Sequence, residues 1–217
     1  FAGVPCGIMD QFIAVMARAG HAMLLDCRSR QVKMVDLTDP SVSILIVNSQ
    51  VHHDLAEGQY ADRRLTCHRA AKTLGLKALR DADMGMLTDS GLDPTSLRRA
   101  RHVISENQRT REAAAAMEAG DWRHLGALMD RSHDSLRDDF EVSCDELDLL
   151  VDLAHRQDGV YGARMTGGGF GGAAIALVSR EKVADVTDAV RRAFAARGFA
   201  DPHVFSVTAA AGAGRDA

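Results

Sequence analysis

Apolar positions along the chain fall into two rhythms. From Val4 to Ala17 they recur at three and four: Ile8, Phe12 and Met16 form a stripe flanked by Met9 and Ile13. That spacing predicts a helix over 4–17, with Pro5 suited to its first turn. HAMLLDC (21–27) and QVKMVDL (31–37) predict two strands, and the CRSR segment between them a hairpin. SILIVNS (43–49) is apolar enough for a more deeply buried strand, after a turn at Asp39-Pro40. Helical spacing then returns over 58–75, with Gly75 as the stop, and a looser stretch runs from Leu76 to Pro94. Helices follow over 95–119, ending at Gly120, and over 121–137, where Trp122, Leu125, Met129 and Leu136 share a face. Ser143, with Glu146 three residues on, reads as a capping box opening a helix to about His155. AAIALVS (173–179), a helix over 180–197 stopped by Gly198, and HVFSVTAA (203–210) close the pattern as strand, helix and strand. The last seven residues read as a frayed tail.

The class is therefore α+β, and the end of the chain looks like half of a split βαβ unit. With 217 residues, 46% of them hydrophobic, the chain can bury a sizeable core. A net charge of -4 argues against a nucleic-acid or anionic-membrane partner, and no apolar run reaches the ~18 residues of a membrane span. Cys6, Cys27, Cys67 and Cys144 are scattered without a metal or disulfide spacing, as expected of reduced, mostly buried thiols in a cytoplasmic protein. The chain starts at Phe1, within what reads as a structured element, and a fragment of something longer is expected.

Two stretches carry candidate chemistry. In RMTGGGFGG, five of the six residues 167–172 are glycine. Gly167, Gly169 and Gly172 fit the spacing of the dinucleotide fingerprint, but that fingerprint requires a following helix, and here a strand follows. A Walker loop would need a GK[ST] ending, which is absent. What remains is either a tight packing turn or a loop shaped to approach a ligand; the density of glycine and the adjacent Thr166 favour the ligand. The second stretch is PCGIMDQF. Gly7 in a first helical turn costs about 1 kcal/mol relative to Ala, which suggests room kept for something. Asp10 lies off the apolar stripe near the helix start, where the helix dipole favours negative charge and a carboxylate can accept a proton from a hydroxyl. A solvated helix aspartate explains Asp10 equally well from this stretch alone.

Other features read as structural. His52-His53 is a solvated pair, since adjacent residues rarely face one ion together. His124 and His133 lie on different sides of one helix, Trp122 is a packing anchor, and the arginine-rich run 98–111, with Glu106 and Glu112, is a solvated face with i,i+4 pairing.

Taken together, PCGIMDQ and MTGGGFGG resemble the motifs of galactokinases, within the GHMP small-molecule kinase family. GHAMLLDCRS, NSQVHHDLAEGQYADRR, RHVISENQRT and SHDSLRDDFEVSCDELD extend the resemblance over nearly the whole chain. It implies a two-domain GHMP-kinase fold: 1–42 a remnant of the N-terminal domain, and 43–217 a ferredoxin-like C-terminal domain with added helices. It implies transfer of the γ-phosphate of Mg-ATP to the C1 hydroxyl of α-D-galactose, in the cytoplasm, in galactose catabolism. By position, Asp10 inherits the catalytic role beside that hydroxyl, Gly7 a sugar contact and Tyr60 a sugar hydrogen bond. Thr166, Gly167, Gly168, Gly169, Gly171 and Gly172 inherit support of the nucleotide site. The family's sugar-recognition motif, its Gly/Ser-rich phosphate loop and its Mg2+-binding Glu are expected upstream of Phe1, in a missing N-terminal half, so the chain alone is expected to be inactive. The alternatives are a non-catalytic, sugar-responsive regulator and a related GHMP sugar kinase.

Overall fold

The computed structural model describes residues 7–52 and 56–214. Its main sheet has four strands: β3 (Val42–His52), β4 (Val160–Thr166), β5 (Gly171–Ser179) and β6 (His203–Val207). They lie in the order β4-β5-β3-β6, antiparallel at every neighbouring pair. Both β3-to-β4 and β5-to-β6 are thus parallel connections with another strand inserted between the two ends. That is two interlocked split βαβ units, the ferredoxin-like arrangement, of which the sequence pattern displayed only the second. β4 went unforeseen because Gly162 and Ala163 are poor strand formers and its end runs straight into the glycine stretch.

The first connection is long. It carries α2 (Ala56–Thr73), α3 (Pro94–Glu118), α4 (Trp122–Asp138) and α5 (Asp145–His155), with two short 3-10 turns before α3. The second carries α6 (Val183–Arg197), ended by Gly198 in the left-handed region. Period-two burial divides the sheet between two layers. Leu45, Val47, Met165 and Val178 pack under Leu147 and Val151 of α5 and Phe194 of α6. Val42 and Leu177, of opposite parity, face Leu125 and Leu128 of α4.

Outside this sheet stand α1 (Met9–Met16) and a two-stranded ribbon, β1 (His21–Leu25) with β2 (Val32–Asp36). Arg28 pairs with Asp81 at 2.7 Å and Arg80 with Asp26 at 2.8 Å, clamping the ribbon's turn to the segment before α3. α1 begins later than the apolar stripe suggested; Pro5 and Cys6 lie outside the described residues. The described part of the tail, up to residue 214, is tied down rather than frayed: Gly212 donates to the Ala17 carbonyl at 2.9 Å and Ala213 to that of Ala14 at 2.7 Å. These bonds occupy carbonyls that the end of α1 would otherwise leave open. Among the described cysteines none is fully buried: Cys27 is exposed and Cys67 and Cys144 are half-buried, contrary to expectation. Among the described residues no helix is long and apolar enough to cross a membrane.

Candidate active site

The glycine stretch is the loop of the β4–β5 hairpin. Ser49 donates its hydroxyl to the Gly172 carbonyl at 2.8 Å, and the Phe170 amide donates to the Val142 carbonyl at 2.7 Å. The glycines serve two purposes. Gly169 (φ 87°) and Gly171 (φ 121°) are pressed against neighbouring backbone: a Cβ on Gly169 would collide with the Val142 carbonyl, and one on Gly171 would sit 2.5 Å from the Val51 oxygen. Gly167 and Gly168 are exposed, and a Cβ on either would meet nothing within 4 Å. The packing reading and the ligand reading thus apply to different members of one loop. A strand follows the loop, so a pyrophosphate-binding helix start is absent there.

Behind the loop lies the turn 139–142, which sequence reasoning left unassigned. Glu141 holds a positive φ of 53° and Phe170, facing the same turn, one of 62°. The turn is fixed by arginines from two helices. Arg98 of α3 donates to the Glu141 carboxylate at 2.9 Å. Arg99 of α3 donates to the same carboxylate and to the Asp139 carbonyl. Arg101 reaches the Asp139 carboxylate. Arg63 of α2 donates from Nε to the Phe140 carbonyl at 2.7 Å and from Nη2 to the Glu141 carbonyl at 2.9 Å. The solvated-face reading of 98–111 is therefore corrected: Arg99 is only 2% exposed. Burial makes those charges seek long-range partners, which helical spacing does not reveal. The Arg99 hydrogen bond and the neighbouring Arg98 charge hold Glu141 below the usual carboxylate range. Burial, and then the charge of Arg99, lower the pKa of Arg63.

β4 is an edge strand, and α4 closes its free side. Gly126 of α4 and Gly162 of β4 meet backbone to backbone, where either Cβ would collide. Asp130 accepts from the Ala163 amide at 2.8 Å, and His133 Nδ1 accepts from the Met165 amide at 3.3 Å. These side chains take the place of a neighbouring strand. With Nδ1 accepting, His133 Nε2 donates to Asp148 at 3.1 Å. Ser143 also donates to Asp148. Ser143 is thereby not the N-cap; Cys144 takes that position, without a side-chain cap bond, and the expected capping box does not form. Burial alone would raise the Asp148 pKa, but the His133 and Ser143 hydrogen bonds outweigh it and the carboxyl titrates below its ordinary range.

Asp10 lies in the first turn of α1 and is exposed, as is Gly7 just before the helix, where a Cβ would meet nothing within 4 Å. Tyr60, on α2 one turn before Arg63, is 46% exposed. The structure gathers Tyr60's helix and the glycine loop around the 139–142 turn through Arg63. α1 is held at its other end by the tail, and no described contact joins Asp10 to the loop. His53 lies outside the described residues, and the His52 side chain is not described, so that pair has no structural account. His133 is a core residue and Trp122 a packing anchor whose Nε1 donates to Asp39 at 2.8 Å. Among the described residues no group of three or more His, Cys, Asp or Glu is placed to hold a metal ion. A cavity of about 590 Å3 opens between the ribbon's end, α2 and α3, with Leu24, Cys67 and Val103 in its walls; neither candidate motif lines it.

Residues 113–196 match the family model described as GHMP kinases C terminal. The chain is 53% identical to galactokinase of Bos taurus over 181 residues, which is 82% of this chain and 46% of that protein. It is 45% identical to galactokinase of Streptomyces coelicolor over 99% of this chain and 57% of that protein. The fold superposes on the crystal structure of Lactococcus lactis galactokinase complexed with galactose with a TM-score of 0.92 and 35% identity, covering 97% of this chain and 56% of the other. The chain spans about half the length of the curated relatives it matches.

Proposed function

We propose that this chain, which matches the GHMP kinases C terminal family model over residues 113–196 and is galactokinase-like along nearly its whole length, takes part in ATP-dependent phosphorylation of galactose at its C1 hydroxyl. The observation that carries this reading is the likeness, over 97% of the chain, to a galactokinase complexed with galactose, with both motifs intact in this sequence. Within it, residues up to about 42 go with one domain and the ferredoxin-like remainder with the second.

In the proposed reaction the sugar's C1 oxygen attacks the γ-phosphorus of ATP. The bond from that phosphorus to the β-γ bridging oxygen breaks, ADP leaves, and the hydroxyl proton passes to the Asp10 carboxylate. Such transfers depend chiefly on positioning and charge stabilisation, so a carboxylate that orients the attacking oxygen has a defined task. The exposure of Asp10 leaves it reachable by a sugar. Tyr60, half in solvent, supplies a hydroxyl to the same sugar, and Gly7 offers side-chain-free backbone against it. In the loop, Gly167 and Gly168 face open space where a phosphate chain can pass, while Thr166, Gly171 and Gly172 lie on the two strands at its base and Gly169 packs against Val142. Mg2+ is expected to accompany ATP, and the described residues gather no group of three or more His, Cys, Asp or Glu placed to hold it.

The test is a chimera in which these residues replace the matching ones of the Streptomyces coelicolor galactokinase. Galactose-dependent ADP formation and a C1-phosphorylated product are expected. A folded chimera that releases no ADP with galactose, or phosphorylates another position, removes the reading.

A further inference from the structure

We propose that Arg63 is a positioning residue that sets the helix carrying Tyr60 in register with the glycine loop, so that sugar and nucleotide contacts are held by one strut. The inference rests on the function proposed above and adds a residue that sets the mutual geometry of its two substrates.

The strut can be traced bond by bond. Tyr60 and Arg63 are three apart on α2 and share a face. The Arg63 guanidinium forks onto two consecutive carbonyls, Phe140 at 2.7 Å and Glu141 at 2.9 Å. The next carbonyl, Val142, receives the Phe170 amide of the glycine loop at 2.7 Å, and Gly169 packs against that same residue. Arg63 also stands 5.9 Å from the centroid of the Phe170 ring, within cation–π range. The turn in the middle cannot drift, because Arg98 and Arg99 hold Glu141 from α3. Its own carbonyls are then a fixed rail, and the Arg63 fork ties α2 to them. The side chain is 14% exposed, against 60% for its neighbour Asp62 at 3.3 Å. A lysine cannot replace it, since one ammonium lacks the planar pair of donors that spans two carbonyls.

A merely structural arginine and a positioning one part company in kinetics. In the chimera, Arg63→Gln is expected to raise KM for galactose about tenfold, the size of a lost charge-assisted hydrogen bond, and KM for ATP as well. Arg63→Lys is expected to restore the melting temperature without restoring either KM. Adding Tyr60→Phe to Arg63→Gln is expected to raise KM for galactose little further, because the two act through one contact. Arg64→Gln serves as control: Arg64 is exposed and, among the described residues, bonded to His68 at 3.5 Å and to no other. Hydrogen exchange at the Phe170 amide supplies a readout free of activity, expected to quicken in Arg63→Gln and not in the control. Unchanged KM values with a lowered melting temperature, strictly additive effects with Tyr60→Phe, or unaltered exchange at Phe170 each overturn the proposal. Should the unmutated chimera phosphorylate no galactose, the function fails on its own, and exchange at Phe170 still decides whether Arg63 holds the loop.

Discussion

α1 and the β4–β5 loop carry the two candidate motifs, and they are held in opposite ways. α1 buries none of its residues: Met9 is 66% exposed, Val15 67% and Met16 46%. Its fixed points are backbone bonds from the tail to its last turn, at the end away from Asp10. The loop is gripped on several sides, by Ser49 on β3, by the Val142 carbonyl, and through Arg63 by α2. A loop that approaches a polyanion must hold its shape before the ligand arrives, since ordering it on binding would cost affinity. A helix that offers one carboxylate to a hydroxyl needs its carboxylate end fixed as well. The apolar face left open on α1 is where that fixing would have to come from.

The largest effect is expected at the loosely held motif. Asp10→Asn in the chimera is expected to lower kcat by about 10²–10⁴, the range of a lost general base, with KM for galactose little altered. Since Asp10 is exposed, the melting temperature is expected to stay put. Near-normal turnover in this variant would separate α1 from the chemistry and leave the loop as the only functional motif of the pair.

Stability reverses the ordering. Gly169→Ala places a Cβ against the Val142 carbonyl at a φ of 87°, so both the contact and the backbone are penalised. A loss on the order of 2–4 kcal/mol is expected. Val15→Ala, on the open face of α1, is expected to change stability by less than about 0.5 kcal/mol. Denaturant titration of both variants measures the contrast directly. Equal losses would mean that the loop is no better anchored than the helix.

How much of this could be read from the chain differs between the two regions for a physical reason. Local spacing displays α1, α3, α6 and β3 because no glycine interrupts the apolar pattern of any of them. It hides β4, which alternates at Tyr161, Ala163 and Met165 but includes weak strand formers, Gly162 at the crossing with Gly126 among them, and runs straight into the glycines. It hides the turn 139–142 altogether, because what makes that turn is Arg98 and Arg99, some forty residues earlier. Charges in a helix are assigned to solvent by periodicity, and only the fold reveals that one of them is buried. The glycines were conspicuous, but which of them pack and which stand open depends on Val51 and Val142, distant in sequence.

A smaller effect is expected on α2, whose Tyr60 is proposed to meet the same sugar as Asp10. Tyr60→Phe removes one hydroxyl from a half-exposed side chain. KM for galactose is expected to rise about fivefold, the worth of one hydrogen bond near 1 kcal/mol, with kcat and melting temperature retained. A change confined to KM for ATP would move Tyr60 from the sugar to the nucleotide.

The last variant, Gly168→Ala, separates the two uses of glycine within a single loop. Gly168 does not have a left-handed φ, and an added Cβ would meet nothing within 4 Å. In the ligand-free protein the alanine therefore fits, and by reducing the freedom of the unfolded chain it is expected to leave stability unchanged or raise it by up to about 1 kcal/mol. If the open side of the loop is where phosphates pass, the same methyl group stands where the ligand must come close to the backbone. KM for ATP is then expected to rise while the melting temperature without nucleotide does not fall. A variant with normal stability and a normal KM for ATP would mean that the open side faces water in the working enzyme. Gly169 and Gly171 would then be explained by their packing on Val142 and Val51, and Gly167 and Gly172 by their positive φ. A variant that loses stability without nucleotide would instead mean that Gly168 is packed in solution as tightly as Gly169, and the division within the loop would fail.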